Sequence, residues 1–186
     1  MEDIAKAIEF VNGITKENTY NVSNLEDVFF AKTKPSAIIP SKNKHNAGYD
    51  IYACFDCEEI IIKKGEIKMI PTGIASAFGF KYFFDLRERG SSGSRGLSKR
   101  CGVIDSNYRG EWFVPINNTT NKVIIISKNT QKIIELTDQV IYPYSKAICQ
   151  AVLLPVPETK IVEIDYEELK KIESSRGTGC LGSSGK

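Results

Sequence analysis

Short β-rich runs follow one another from Val28 to about position 164, and their density limits what this chain can fold into. The runs are rich in Ile, Val, Phe and Tyr, and turn-forming residues such as Gly, Pro and Asn separate them. Strands this close together, with almost no helix between them, predict an all-β sandwich or barrel. The candidate strands are 28–33, 48–54, 58–63, 66–71, 74–78, 80–87, 111–117, 122–127, 131–136, 147–154 and 160–164.

Both ends of the chain depart from this β-rich texture. Near the start, apolar residues recur at helical spacing until an Asn-Gly pair, which predicts a helical extension over residues 1–26. Near the end, residues 166–172 predict one short helix, and the residues after Arg176 are mostly Gly and Ser. Such a tail lacks core-forming side chains, so we expect it to be mobile in the free protein. The predicted segments are therefore 1–26, a β domain over 27–172, and a tail over 173–186.

Composition and charge narrow the class of protein. The chain has 186 residues, of which 41% are hydrophobic and 26% charged, as is typical of one soluble globular domain. Its net charge of +2 is too small to indicate direct binding of nucleic acid. No apolar run approaches the roughly 20 residues of a membrane-spanning helix, and the acidic start lacks the pattern of a secretory signal. We therefore expect a cytoplasmic protein that does not associate with membranes.

The cysteines indicate free thiols in a reducing compartment, because their number is odd and their positions are scattered. One pair, Cys54 and Cys57, has the C-x-x-C spacing of some zinc and redox sites, and such a site is the open alternative. However, no second pair and no nearby histidine completes a metal set, and on a strand the two side chains would point to opposite faces. The five cysteines are Cys54, Cys57, Cys101, Cys149 and Cys180.

Two segments rich in Gly, Ser and Arg are suited to binding an anion. In residues 87–96, glycines let successive backbone N–H groups face one ligand, serines add hydroxyl donors, and Arg89 and Arg95 add positive charge. The tail after Arg176 has the same composition. A solvated connection is the alternative for either segment alone, and neither contains the P-loop pattern. Together the two segments favour a site for phosphate groups.

Two carboxylates accompany these segments. Asp105 follows a β-branched pair and enters a Ser-Asn turn, and Asp50 lies at the start of a predicted strand. Each of them alone could be a turn or capping residue, or a metal partner. Beside a phosphate site, Asp105 could also orient a water molecule for attack on phosphorus. Of the other candidates, we expect His45 in an exposed loop and Trp112 in the core or in an interface.

These segments resemble, in the same order, the five motifs of the trimeric deoxyuridine triphosphatases (dUTPases). The resemblance covers about residues 27–185, and the motif around Asp105 is the most specific of the five. It implies a jelly-roll-like β-barrel, a homotrimer with shared active sites, and hydrolysis of dUTP to dUMP and pyrophosphate with Mg²⁺. The matching segments are 47–53, 89–96, 102–110, 148–152 and 176–185.

The resemblance also implies roles for individual residues. Asp105 would activate the water that attacks the α-phosphorus, Tyr108 would pack under the deoxyribose, and Asp50 would contact hydrated magnesium. The tail would close over the site of a neighbouring subunit. The uracil-binding residues would be Gly102, Val103, Ile104 and Leu181. The phosphate-binding residues would be Arg89, Ser91, Ser92, Gln150, Arg176, Gly182, Ser183 and Ser184.

The chain departs from the family pattern at a few positions. Gly90 follows the second-motif arginine, which leaves either Ser91 or Ser92 as the second-motif serine. Residues 145–147 are Ser-Lys-Ala where the family usually has Gly-Asp-Arg, and Leu181 replaces an aromatic residue. The additional segments resemble those of viral or phage members, so we expect the cytoplasm of a bacterium or of a phage-infected host.

Two other functions stay open from the sequence alone. The first is a dCTP deaminase of the same fold, alone or bifunctional, for which Glu111 is the nearest carboxylate after the hairpin. The second is a regulatory protein that keeps the site and acts through its additional segments. The candidate segments for binding a protein partner are residues 1–26 and the stretch 118–146.

Overall fold

The computed structural model describes residues 27–179, which form two compact units that divide after Val156. The first unit holds all the strands of the described residues: β1 Phe29–Lys32, β2 Gly48–Ile51, β3 Glu59–Ile62, β4 Ile67–Pro71, β5 Ile74–Ala77, β6 Tyr82–Arg87, β7 Leu97–Lys99, β8 Val103–Asp105, β9 Phe113–Asn118, β10 Val123–Ser127, β11 Ile134–Glu135, β12 Gln139–Pro143 and β13 Cys149–Pro155. The helices are α1 Gly90–Gly93 in the first unit and α2 Tyr166–Lys171 in the second.

The strands hydrogen-bond into four small sheets. Two sheets have four strands, in the orders β11-β12-β10-β3 and β2-β13-β6-β8, and the others have the orders β4-β9-β7 and β1-β5. All pairs are antiparallel except β10 with β12. This arrangement confirms the prediction of an all-β, jelly-roll-like fold. Within residues 27–179 the four sheets do not join into one closed barrel.

An aromatic cluster at the centre of the core supports the sheet that carries Asp105. Phe84 on β6 contacts Phe30, Phe78 and Trp112, with ring centroids 5.1 to 5.8 Å apart and the rings tilted or edge-on. Each such pair contributes about 0.5–1.5 kcal/mol beyond the burial of apolar area. Trp112 is fully buried, so it belongs to the core, which was one of its two predicted positions. Because β8 pairs with β6, the aromatic cluster fixes the strand that ends at Asp105.

Most predicted strands are present, and the differences have physical causes. The candidate strands do not include β7, β8 or β12, and the α1 segment was predicted as a loop. The predicted strand 160–164 is wrong, because this stretch has no regular structure and Ile161 is 95% exposed. An apolar run becomes a strand only where a neighbouring strand can bond to it. The predicted helix 166–172 is confirmed as α2, and the predicted N-terminal helix lies outside the described residues.

The described cysteines are free thiols in contrasting environments. Cys54 and Cys149 are buried, whereas Cys57 and Cys101 are exposed. Burial strongly raises the pKa of the Cys149 thiol, which therefore stays protonated at physiological pH. Within residues 27–179 there is no cluster of three His, Cys, Asp or Glu side chains that could hold a metal ion.

The stretch 118–146 is an integral part of the fold rather than an appendage. It contains β10, β11 and β12, and Ile124 and Tyr142 within it are fully buried. Its role in binding a partner stays a prediction, as do the predicted segment boundaries at 26 and 172. No helix between residues 27 and 179 is long and apolar enough to span a membrane.

Candidate active site

The strand β8 presents both its side chains and its backbone to an open depression. It is an edge strand, and its alternation buries Ile104 and exposes Val103 and Asp105. Leu86 N donates to Gly102 O at 2.9 Å. Because the bonded pairs of an antiparallel ladder alternate, the backbone N–H and C=O groups of Ile104 also point toward β6. The N–H and C=O groups of Val103 are therefore left on the free edge.

The turn after β8 fixes the ring of Tyr108. Tyr108 N donates to Asp105 O at 3.1 Å, and the hydroxyl of Tyr108 donates to Glu111 O at 2.9 Å. Gly110 lies flat against the ring, since a Cβ added there would be 2.5 Å from the hydroxyl oxygen and 2.7 Å from Cζ. Arg109 supports the turn by donating to the carbonyls of Ser106 and Ser76. The ring is therefore held at both its edge and its face.

An apolar depression of about 560 Å³ surrounds β8 and Tyr108. Exposed apolar side chains of β4 and β9 form its wall, and its two carboxylates are those of Asp105 and Glu111. Glu111 accepts a hydrogen bond from Gly73 N at 2.9 Å, so its carboxylate is engaged with the backbone. The lining residues are Ile67, Met69, Leu86, Arg100, Cys101, Gly102, Val103, Ile104, Asp105, Tyr108, Glu111, Phe113 and Pro115.

A second, mainly polar depression of about 590 Å³ is built around Arg89. The guanidinium of Arg89 pairs with both carboxylate oxygens of Asp50, at 2.8 and 3.3 Å. It also donates to Ser91 Oγ at 3.3 Å and to Ala147 O at 3.4 Å. Burial and, to a smaller extent, the charge of Asp50 raise the pKa of Tyr52. The lining residues are Asn43, His45, Asn46, Ala47, Gly48, Asp50, Arg89, Gly90, Ser91 and Gln150.

Gln150 supports the loop that carries Arg89. Its Nε2 donates to Glu88 O at 2.8 Å, which joins β13 to the end of β6. A Cβ on Gly48 would stand 2.5 Å from the Oε1 and 2.9 Å from the Cβ of Gln150, so glycine is the residue that fits there without a shift of Gln150. A larger residue at position 48 would displace the Gln150 amide from this depression.

The two serines after Gly90 have different environments. Ser92 is fully buried, and its hydroxyl donates to Arg89 O at 3.4 Å. Ser91 is exposed, accepts a hydrogen bond from Arg89 and lines the polar depression. Of the two candidates, Ser91 is therefore the one whose hydroxyl can reach a ligand, and Ser92 holds the loop.

The described residues of the predicted site fall into separate groups. The hairpin residues line the apolar depression, the residues Asp50, Arg89, Ser91 and Gln150 line the polar one, and the two depressions share no lining residue. Arg176 lies in the second compact unit, where its Nε donates to Gly179 O at 3.0 Å. Leu181, Gly182, Ser183 and Ser184 lie outside the described residues.

Three residues that line the polar depression were not predicted as site residues, namely Asn43, His45 and Asn46. They precede the motif 47–53 directly, and that proximity was the available signal. We expected an exposed loop for His45, and it is exposed.

Comparisons with known proteins show the family of this chain. The dUTPase family model matches residues 34–136, which is more than half of the chain. The chain belongs to the dUTPase family. A deoxyuridine 5'-triphosphate nucleotidohydrolase of Nautilia profundicola is 36% identical over 159 residues, covering 83% of this chain and 96% of that protein. One of Rickettsia canadensis is 30% identical over 169 residues, covering 89% and 96%. The chain is therefore an enzyme, a dUTPase.

Phage dUTPases are among its structural neighbours. A mutant dUTPase of Staphylococcus bacteriophage 80alpha, solved with dUpNHpp, is 25% identical with a TM-score of 0.64 and covers 87% of this chain and 99% of its own. A mutant dUTPase of phage phi11 of S. aureus, 23% identical with a TM-score of 0.58, has the same fold and covers 76% and 99%. The dUTPase fold thus extends over most of the described chain.

Proposed function

We propose that this dUTPase hydrolyses dUTP by attack of an Asp105-bound water on the α-phosphorus. The carboxylate takes a proton from the water, whose oxygen bonds to the α-phosphorus. The bond from that phosphorus to the oxygen bridging to the β-phosphate breaks, and pyrophosphate leaves with its electron pair. The observation that carries the proposal is the exposed carboxylate at the end of β8, in one depression with Tyr108 and the free edge of Val103.

Selectivity for deoxyuridine follows from the same hairpin. The N–H and C=O groups of Val103 offer one donor and one acceptor to the edge of uracil, and Gly102 and Ile104 hold them in place. The fixed ring of Tyr108 packs under the deoxyribose and leaves no room for a 2′-hydroxyl. Mis-incorporation of uracil into DNA would be limited by this reaction, which also supplies dUMP.

The polar depression binds the phosphates in this proposal. Arg89 and Ser91 supply a guanidinium and a hydroxyl, and Gln150 holds their loop beside the α-phosphate region. Arg176 and the tail beyond the described residues, with Leu181, Gly182, Ser183 and Ser184, close over the site of a neighbouring subunit. The exclusion of water by such a lid strengthens every charge interaction beneath it.

Magnesium fits the site as an ion carried by the triphosphate. The described residues offer no three-ligand cluster for a metal, whereas the side chain of Asp50 is one-third exposed beside the phosphate residues. Its carboxylate could therefore contact the ion through a water molecule. Bound Mg²⁺ would neutralise charge on the phosphates. Coordination of a structural Mg(II) ion has been described for the phi11 dUTPase.

Shared active sites in a homotrimer would unite the two depressions. In one chain, the hairpin residues and the phosphate residues line separate depressions, so each is half of a nucleotide site. Exposed apolar side chains around the hairpin, such as Val103, Ile67 and Met69, suit burial against another subunit. We place the trimer in the cytoplasm of a bacterium or a phage-infected host.

Release of pyrophosphate from a panel of nucleotides tests the proposed specificity. We expect turnover of dUTP and little turnover of dCTP, dTTP or UTP, because Val103 selects the base and Tyr108 the sugar. Ammonia release from dCTP is measured in parallel. Comparable turnover of UTP would contradict the role of Tyr108, and ammonia release would instead indicate a deaminase.

A further inference from the structure

The one histidine of the chain, His45, lies at the polar depression. It shares this depression with Arg89, Ser91 and Gln150, which belong to the proposed phosphate site. The loop residues Asn43 and Asn46 line the same depression. An imidazole and two amides can donate hydrogen bonds, so this loop lines the depression with polar groups. No function has yet been assigned to these three side chains.

The loop that carries His45 is held at its base and along its length. Asp50 N donates to Ser41 O at 2.9 Å, which closes the loop. Asn46 N donates to Asn43 O at 2.9 Å, and Lys42 Nζ donates to Asn46 O at 2.9 Å. The Lys42 ammonium also lies 5.2 Å from the ring centroid of Tyr49. His45 therefore occupies the tip of a braced loop.

The positive charge in the polar depression is too small to bind a triphosphate by itself, so additional hydrogen-bond donors are needed. Arg89 is the one Lys or Arg side chain among the described residues that line it, and both oxygens of Asp50 pair with that guanidinium. A nucleoside triphosphate carries several negative charges, which a guanidinium already paired with a carboxylate compensates only in part. Donors on the loop of Asn43, His45 and Asn46 would supply hydrogen bonds to the phosphate oxygens that Arg89 does not reach.

We infer that His45 is a further phosphate-binding residue, which donates a hydrogen bond from its imidazole to the outer phosphates of bound dUTP. The inference rests on the proposed function, because it assigns His45 to the same substrate. In this assignment Asp105 acts at the inner phosphate, and His45 contacts the outer phosphates, which leave as pyrophosphate. Its contribution is to substrate binding and not to the proton transfer.

The variants His45→Ala and Lys44→Ala test this inference as a matched pair. Lys44 is the exposed neighbour of His45 and does not line the depression, so its loss reports only on general charge. For His45→Ala we expect KM for dUTP and Kd for dUpNHpp to rise about three- to ten-fold, with kcat and the affinity for dUMP unchanged. His45→Gln, which keeps a donor, should restore part of the affinity, and Lys44→Ala should match the wild type.

Two results would overturn the inference. One is an unchanged affinity of His45→Ala for dUpNHpp, and the other is an equal loss of affinity for dUMP, which would indicate a general effect on the loop. Failure of the proposed function has a different signature, namely a wild-type protein that releases no pyrophosphate from dUTP. In that case, binding of inorganic pyrophosphate to the wild type and to His45→Ala still decides whether His45 binds phosphate.

Discussion

At the scale of single residues, the site depends on positions where only glycine leaves enough space. A Cβ on Gly110 would stand 2.5 Å from the hydroxyl of Tyr108, and one on Gly48 would stand 2.5 Å from the amide oxygen of Gln150, so each would force its neighbour to shift. The sequence motif supplied these glycines, but their contacts depend on side chains that come from the folded structure. The burial of Ser92 is similar: the sequence offered two adjacent serines, and only the packing of α1 separates them.

Substitution of Gly110 by Ala should disturb the sugar pocket more than the fold. The added Cβ would force the ring of Tyr108 away, so we expect kcat/KM for dUTP to fall about ten-fold or more and turnover of UTP to rise relative to dUTP. Steady-state kinetics with both nucleotides measure this change. Tyr108→Phe is the control, because it keeps the ring and loses only the bond to Glu111 O. Unaltered discrimination in Gly110→Ala would argue against the sugar role.

At the scale of elements, hydrogen bonds from partly or fully buried side chains join strands whose pairing cannot be read from the sequence. Most strands could be predicted from β-branched runs between turns, but β7 has three residues and one buried side chain, which is too short a pattern to recognise. The opposite error at 160–164 arose because apolar content alone does not provide a bonding partner. Asn118 provides such a partner, because its Nδ2 donates to Ile62 O at 2.9 Å and to Lys122 O at 2.7 Å.

Removal of the Asn118 amide should therefore destabilise the protein. Its Oδ1 also accepts bonds from the N and Oγ1 of Thr120, so Asn118→Ala removes four hydrogen bonds, of which the bond to Ile62 O is buried. We expect a loss of about 2–4 kcal/mol in the free energy of unfolding, measured by denaturant titration. Asn117→Ala is the matched control, because the buried Asn117 Oδ1 has no hydrogen-bond partner within residues 27–179. Equal losses in both variants would refute this account of Asn118.

At the scale of the whole molecule, the separation of the two depressions is the property that a motif list could not reveal. The motifs place the hairpin and the phosphate residues in one enzyme, and the structure shows that the described residues of the two groups line different depressions. In the proposed trimer, one subunit would supply the hairpin and another the phosphate residues of each site. Shared sites of this kind predict that two inactive variants, each defective in a different depression, recover activity when they are mixed in one oligomer.

Mixed oligomers of Asp105→Asn and Arg89→Ala should regain activity that neither variant has alone. If one subunit supplies the hairpin and another the phosphate residues, equal random mixing leaves about one quarter of the sites intact. Co-refolded mixtures are compared with the same variants mixed without refolding, and size-exclusion chromatography with light scattering reports the oligomer. Activity no higher than the sum of the two variants would indicate that each chain builds its own site.

The central claim is that the Asp105 carboxylate activates the attacking water, and pyrophosphate release by Asp105→Asn tests it most directly. We predict that kcat for dUTP falls about 10²- to 10⁴-fold while the Kd for dUpNHpp changes less than about three-fold, because the amide keeps the shape but not the base. Asp138→Asn, at an exposed aspartate outside both depressions, should keep wild-type turnover. Turnover of dUTP by Asp105→Asn at close to the wild-type rate would contradict the mechanism.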